Sequence, residues 1–249
     1  MDTAVNLEIP LPVDGIRARL AFWLRNDATR LLWPSRCLAC EGAGLEGLDL
    51  CAACEAELPV NDAACRACAV PLPEAGLCGA CIGAQSPLTV VCAPFVYAAP
   101  LDRLLPRLKF AGDLAAGRLV SQLMADHLRT APQPQALVPV PLHRARLRRR
   151  GFDQALEIAR PLGRALGLPV LDGALVRLRA TREQSTLSAI ARRRNVRGAF
   201  AVRPKLPLPA HVALVDDVMT TGATLRAAAA ALRQAGVQRV DAWVAARVP

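Results

Sequence analysis

Four C-x-x-C pairs between residues 37 and 81 restrict the folding of this chain more than any other feature. They read CLAC, CAAC, CRAC and CGAC, and ten, ten and nine residues separate successive pairs. A C-x-x-C turn presents two thiolates from one corner, and a tetrahedral zinc ion takes four ligands. The pattern therefore predicts two structural zinc ions, held by Cys37, Cys40, Cys51, Cys54, Cys65, Cys68, Cys78 and Cys81.

Other uses of paired cysteines fit the sequence less well. Disulfides suit secreted chains, and the N-terminal residues lack the pattern of a secretion signal. A thioredoxin-type motif is normally a single pair in a βαβ unit, whereas a cysteine-ligated iron–sulfur cluster stays open as an alternative. Residues 37–84 hold few large apolar side chains, so metal must supply their folding energy, about 10–16 kcal/mol per site in zinc-finger peptides.

Two pairings of the cysteine corners are open. Sequential pairing joins the first two corners and then the last two, and we favour it over interleaved pairing because it closes shorter loops. We expect serine at Cys37 or Cys65 to unfold the cysteine-rich segment and to leave the rest of the chain folded. The ninth cysteine, Cys92, lies in the alternating pattern LTVVCAPFVYA, which predicts a thiol in the core.

Strand and helix patterns alternate after residue 84. Apolar runs at residues 89–97, ALVPVP, HVALV and VQRVDAWVAARV predict strands, and helical patterns at 114–128, FDQALEIARPLGRALGL and TLRAAAAALRQAG separate them. Such alternation predicts an α/β fold with a mainly parallel sheet flanked by helices. The predicted organisation is an amphipathic N-terminal helix within residues 1–36, a double zinc ribbon at 37–84, and the α/β domain at 85–249.

The positive charge of the chain is concentrated in one segment. Residues 143–203 contain 15 arginines and four acidic residues, whereas the remainder has 16 basic and 17 acidic residues. A guanidinium group grips phosphate in two places, so this segment predicts a surface for the phosphates of a small ligand or of nucleic acid. A solvated basic face is the simpler alternative.

The apolar runs near the N-terminus are too short to cross a membrane. The longest covers the five residues 20–24, and a membrane-spanning helix needs about 20. We therefore expect no membrane span and a cytoplasmic location.

Two adjacent acids follow the apolar run HVALV. In an open parallel sheet, ligands bind beyond the carboxyl ends of the strands. Asp216 and Asp217 would accept hydrogen bonds there from the two hydroxyls of a ribose. The loop after them opens a helix, and backbone N–H groups at such a helix bind phosphate. The predicted 5-phosphate cradle consists of Thr220, Thr221, Gly222 and Thr224.

The block ALVDDVMTTGATL closely resembles the signature of type I phosphoribosyltransferases, which bind 5-phosphoribosyl 1-diphosphate (PRPP). The resemblance implies a five-stranded parallel sheet with a flexible hood, and a reaction that displaces pyrophosphate from C1 of the ribose. It implies the same roles for the acids and for the threonine-rich loop. It also implies a pyrophosphate clamp, usually with Mg²⁺.

The resemblance extends to the ComF family of competence-associated proteins, including its GntX-like branch. The cysteine corners, LKFAGD, VPVPLHRARLRRRGFDQA, TREQSTLSAIARRRNVRGAF and the acid block occur in the family's order. The clamp, or a contact with DNA phosphates, would use His143, Arg144, Arg148, Arg149 and Arg150. The hood would be residues 181–197, with Arg182, Gln184, Ser185 and Asn195 as polar contacts.

The family resemblance implies a role in DNA uptake during natural competence or in the use of DNA. Some purine-salvage relatives carry a third acid where this chain has Thr220, and its absence puts base activation in doubt. Two alternatives therefore stand beside PRPP binding. One is a non-catalytic single-stranded-DNA-binding protein that uses the fold as a scaffold, with a competence helicase as a partner, and the other is an active phosphoribosyltransferase of nucleotide metabolism.

Overall fold

The computed structural model describes residues 35–179, 198–204 and 206–249. The chain forms two compact units, residues 1–52 and 53–249. The amphipathic helix predicted at residues 14–33 and the hood predicted at 181–197 lie outside the described residues. No helix in the described part is long and apolar enough to cross a membrane.

A five-stranded parallel sheet is the centre of the larger unit, which confirms the predicted fold class. Its strand order is β1-β7-β6-β3. The strand β2 also pairs with β7, at residues closer to the carboxyl end of β7 than those that pair with β1. All four pairings are parallel. The strands are β1 (Val91–Cys92), β2 (Phe95–Val96), β3 (Ala136–Pro139), β6 (His211–Met219) and β7 (Arg239–Arg247). The single strand expected at residues 89–97 is thus two short strands.

The remaining strands form a separate antiparallel pair. They are β4 (Leu175–Arg177) and β5 (Phe200–Val202), and Leu175 lies opposite Val202. The predicted hood segment connects these two strands in the sequence.

Six α-helices are described, in part at the predicted places. They are α1 (Ala52–Ala56), α2 (Leu101–Pro106), α3 (Leu114–Leu128), α4 (Arg144–Arg150), α5 (Gln154–Leu166) and α6 (Ala223–Gln234). A π-helical turn, Arg107–Ala111, continues α2. Asp113 and Asp153 begin α3 and α5, because each carboxylate accepts hydrogen bonds from backbone N–H groups of the first turn.

Helices cover both faces of the sheet. On β7, Val240, Ala242 and Val244 join a core that includes Leu225 and Leu232 of α6. Because side chains alternate along a strand, Trp243 and Ala245 point to the opposite face, where they are also fully buried. The β6 strand is four residues longer than the predicted HVALV. The two acids therefore lie inside the strand, as its sixth and seventh residues, rather than after it.

Candidate functional site

A cavity of about 400 Å³ opens at the carboxyl end of β6. Four stretches of chain supply most of its lining: the π-helical turn, the segment from Val140 to Arg150, Arg177 at the end of β4, and residues 216–225. This is the edge of a parallel sheet at which ligands bind, because loops diverge there and leave a crevice.

The acid pair lies in the wall of this cavity. The Asp217 side chain is 5 % exposed, and its Oδ2 has no hydrogen-bond partner among the described residues. The other oxygen, Oδ1, accepts a hydrogen bond from Val218 N at 2.8 Å, and Asp216 Oδ1 accepts one from Asp217 N at 2.9 Å. A buried oxygen without a donor is rare in folded proteins, so this one is suited to accept a hydrogen bond from a ligand.

Asp216 differs from an ordinary surface carboxylate in its proton affinity. Burial raises the pKa of Asp216 well above its usual range, and the negative charge of Asp217 raises it further. Lys109 opposes this effect, and its Nζ lies 3.6 Å from Asp217 Oδ2. A second cation near the pair would therefore lower the pKa of Asp216.

The threonine-rich loop closes the cavity at the start of α6. Gly222 has φ of 67°, and a Cβ there would lie 2.3 Å from Met219 Cε, so both the backbone conformation and the space require glycine. Thr221 Oγ1 accepts a hydrogen bond from Ala223 N at 3.4 Å, and the backbone oxygen of Thr221 accepts one from Arg226. The first residues of a 12-residue helix thus line the same cavity as the acid pair, and N–H groups at the start of a helix bind anions.

The arginine-rich stretch predicted as a loop is the helix α4. His143 begins it, and its Nδ1 accepts a hydrogen bond from Ala145 N at 3.2 Å. Arg150 lines the cavity, whereas Arg144, Arg148 and Arg149 are exposed and lie outside the cavity lining.

Three basic residues of the cavity were missed from the sequence. Arg146 is four residues before Arg150, and this spacing places both on one side of α4, a signal that the sequence contained. Arg177 is 9 % exposed, with its guanidinium 5.3 Å from the Phe200 ring centre. Burial and the charge of Arg146 lower the pKa of Arg177. Lys109 lies on the π-helical turn, a conformation frequent at functional sites.

Asp153 fixes the β3–α4 connection relative to α5. Its Oδ2 accepts a hydrogen bond from Leu142 N at 2.8 Å, and its Oδ1 accepts one from Ala155 N at 3.1 Å. Arg150 donates to the side chain of Gln154, the residue after Asp153. These bonds hold α4 in the position at which Arg146 and Arg150 line the cavity.

The eight cysteines form two clusters in sequential pairing. Their Sγ atoms lie within 4.8 Å of one another in each cluster: Cys37, Cys40, Cys51 and Cys54 in the first, and Cys65, Cys68, Cys78 and Cys81 in the second. The distances Cys40 Sγ–Cys51 Sγ and Cys68 Sγ–Cys78 Sγ are 3.6 and 3.7 Å. Zinc–sulfur bonds of about 2.3 Å give tetrahedral edges of about 3.8 Å, so the clusters fit zinc.

Backbone N–H groups favour the thiolate form in both clusters. Burial alone would raise the pKa of Cys37 and Cys65, but N–H groups, those of Cys51 and Cys78 foremost, lower each to about 6. Burial raises the pKa of Cys68 and Cys81, so these N–H groups favour the thiolate form of one cysteine in each cluster. Thiolates are the form that binds a metal. Cys92 differs, because burial and then the charge of Asp241 raise its pKa to about 11, and it is half-buried rather than fully buried as predicted.

Family models match both parts of the chain. A double zinc ribbon domain matches residues 28–82, and a phosphoribosyl transferase domain matches residues 117–249. Competence protein F of Haemophilus influenzae is 33% identical over 222 residues, which cover 85% of this chain and 96% of that protein. The chain belongs to the competence protein F family.

Other members of this family carry two kinds of name. The DNA utilization protein YhgH of Salmonella typhi is 34% identical over 223 residues, 86% of this chain and 97% of that protein. The competence protein ComFC of Streptococcus pneumoniae is 28% identical over 151 residues, 61% of this chain and 65% of that protein. The two cysteine clusters agree with the double zinc ribbon. Most of the cavity lining lies within the matched phosphoribosyl transferase domain, and the part around Lys109 precedes it.

Proposed function

We propose that the cavity binds PRPP, or a related phosphoribosyl ligand, together with Mg²⁺, and that the protein acts in the cytoplasm in the uptake or use of DNA. The names of the family members support the second part of this proposal. The single observation that supports the first part most strongly is the buried Asp217 Oδ2, which lacks a hydrogen-bond donor beside a helix start.

Each part of the ligand has a counterpart in the lining. The ribose hydroxyls would donate to Asp216 and Asp217, and the 5-phosphate would accept from the N–H groups and hydroxyls of residues 220–224. The pyrophosphate carries the remaining negative charge, and Arg146, Arg150 and Lys109 face that space. Mg²⁺ would be held mainly by the pyrophosphate oxygens, as hard cations with phosphate ligands usually are.

The protonation state of Asp216 affects the affinity for the ligand. A ribose hydroxyl donates best to an ionised carboxylate, and the cation and Lys109 favour that ionised form. We therefore expect Mg²⁺ and PRPP to bind together more tightly than either binds alone.

A titration experiment tests the site. Asp216→Asn combined with Asp217→Asn places amide donors beside hydroxyls that need acceptors, and each lost charge-assisted bond is worth about 1.5–3 kcal/mol. We expect binding of PRPP and Mg²⁺ to weaken at least about a hundredfold by calorimetry, because two such bonds are lost. The matched control is Asp126→Asn with Asp172→Asn, which makes the same two substitutions at exposed positions of the same unit.

Two results would contradict the ligand assignment. Equal binding by wild type and the acid-pair variant would exclude the acids as ribose ligands. Failure of the wild type to bind at millimolar PRPP would leave the phosphoribosyltransferase fold as a scaffold only.

A second function, binding of single-stranded DNA, is favoured by the outer side of α4. Arg144, Arg148 and Arg149 are exposed on a helix whose other arginines line the cavity. Replacing these three by alanine should reduce the slope of log affinity against log salt by about 2, at about 0.7 per phosphate contact. PRPP binding should be unchanged by this triple variant, which separates the two functions, and an unchanged salt slope would refute the DNA surface. A competence helicase is a further proposed partner.

A further inference from the structure

The second cysteine cluster is built into the core of the domain that contains the cavity. Cys65 and Cys68 belong to the same core as Leu214 of β6, Val244 of β7 and Leu225 of α6. Met219, the residue directly before the threonine-rich loop, is a member of that core as well. The cluster and the loop are therefore connected through packed side chains.

One arginine makes hydrogen bonds to both. Arg247 is the last residue of β7 and lies opposite Met219 in the register. Its Nε donates to the backbone oxygen of Cys68 at 2.8 Å, and its Nη1 donates to the backbone oxygen of Met219 at 3.3 Å. The planar guanidinium fixes the relative position of these two carbonyl groups, because the directions of its N–H groups are rigid.

The Cys68 carbonyl is part of the cysteine turn of the second cluster. Ala69 follows it with φ of 54°, unusual for a residue with a side chain, and Ala69 N donates to the Cys65 oxygen at 2.6 Å. Asn61 Nδ2 donates to the Ala69 oxygen at 3.0 Å. Such a strained turn persists when its surroundings hold it, and Cys65 and Cys68 are two of the four thiolates of the cluster.

The Met219 carbonyl, at the other end, determines where the loop starts. It also accepts a hydrogen bond from Val248 N at 3.0 Å, and Val248 is part of the cavity lining. The Met219 side chain fills the space directly beneath Gly222. A shift of Met219 would therefore move the N–H groups that face the ligand.

We infer that Arg247 is a positioning residue that couples metal occupancy of the second cluster to the geometry of the loop at residues 220–224. This inference rests on the proposed function for its ligand, but the coupling itself is a property of the protein alone. Metal in the cluster keeps the Cys68 carbonyl in place, Arg247 transmits that position to Met219, and the loop is held ready for the phosphate.

Amide hydrogen exchange on the full chain with both clusters loaded tests this without a ligand. Arg247→Met keeps the volume of the side chain but removes both carbonyl contacts. We expect two zinc ions per chain to remain bound, and exchange of the hydrogen-bonded amides of Ala223 and Arg226 to accelerate about tenfold, as for a loss of about 1.4 kcal/mol of protection. Arg247→Lys should accelerate exchange nearly as much, because an ammonium group lacks the rigid planar arrangement of donors that holds the two carbonyls in place.

Arg233→Met is the matched control. Arg233 also bridges backbone carbonyls, those of Pro87 and Gln238, but lies at the far end of α6 from the loop. This variant should leave exchange of the Ala223 and Arg226 amides unchanged. Unchanged exchange in Arg247→Met, or equal acceleration in Arg233→Met, would overturn the inference.

Zinc affinity gives a second readout that a merely stabilising arginine would not change. Coupling between the binding free energies of two sites is reciprocal, so PRPP with Mg²⁺ should tighten zinc binding at the second cluster, measured by equilibrium competition with a chromogenic chelator. We expect the tightening in wild type and in Arg233→Met, and its absence in Arg247→Met. Equal tightening in Arg247→Met would also overturn the inference, whereas a wild type that binds no PRPP would refute the proposed function and leave the exchange experiment to decide the coupling.

Discussion

The two cysteine clusters begin with the same local structure. Cys37 N donates to the Gly42 oxygen and Glu41 N to the Cys37 oxygen, and Cys65 and Ala69 repeat both bonds 28 residues later. The fifth residue of each turn, Glu41 or Ala69, has positive φ. A short antiparallel bridge closes each turn. The first C-x-x-C motif of each cluster thus forms the same turn, whereas Cys51 and Cys54 of the second motif flank the start of α1.

The clusters differ in what surrounds them. Cys65 is fully buried in a core that includes residues of six strands and of α6. That core contains none of the first four cysteines; Cys37 is itself buried, but residues 38–49 of its turn and the loop after it are all half-buried or exposed. The same motif therefore serves once as a small metal-dependent segment and once as part of the core of a larger domain. From the sequence we expected serine at Cys37 and serine at Cys65 to have the same local effect. The different surroundings of the two clusters predict different effects instead.

The largest expected effect comes from Cys65→Ser. It removes one ligand, and the apparent binding energy of a structural zinc, about 10–16 kcal/mol, matches or exceeds the whole stability of a typical domain, about 5–15 kcal/mol. Because this cluster lies in the shared core, we expect loss of protection across β6 and β7 in hydrogen exchange. Full protection of both strands would show that the second cluster is as separable as the first.

Cys37→Ser should have a local effect. We expect one zinc ion per chain to be lost, with the free energy of unfolding of residues 53–249 and the affinity for PRPP unchanged. Calorimetry and elemental analysis measure these quantities. Unfolding of the sheet in this variant would remove the contrast between the clusters.

The acid pair extends the comparison from the metal sites to the proposed ligand site. Because the folded state raises the pKa of Asp216 above its ordinary value of 3.8, its contribution to stability is present at low pH and is lost as pH rises toward the folded pKa. Asp216→Asn should thus match wild type near pH 4 and gain in melting temperature by pH 7, without ligand. A melting temperature of Asp216→Asn below that of the wild type at pH 7 would contradict the raised pKa of Asp216.

Cys92→Ser should have the smallest effect. It tests whether a half-buried thiol outside the two clusters contributes to stability. The zinc content should stay at two per chain, and stability should change by no more than about 1 kcal/mol. In the wild type, alkylation of Cys92 should accelerate with pH toward its pKa of about 11. A lost zinc ion in this variant would mean that Cys92 belongs to a cluster.

Much of the fold could be predicted from patterns of short range. The helix expected at residues 114–128 coincides with α3, since its apolar spacing and the cap at Asp113 are local signals. The acid block was located correctly at the end of β6. Lys109 and Arg177 were missed because they are distant in sequence from Asp216, and only packing brings them to the same cavity.

The sequence by itself determined the cysteine turns, the strand–helix alternation and the loop that must contain Gly222. Each depends on spacing, backbone conformation or capping within a few residues. Only the tertiary structure decided which arginines face the cavity, that Asp217 keeps an oxygen without a donor, and that the second cluster shares the core of the sheet. These properties depend on burial, and burial arises from contacts between residues such as Cys68 and Arg247, which lie 179 positions apart.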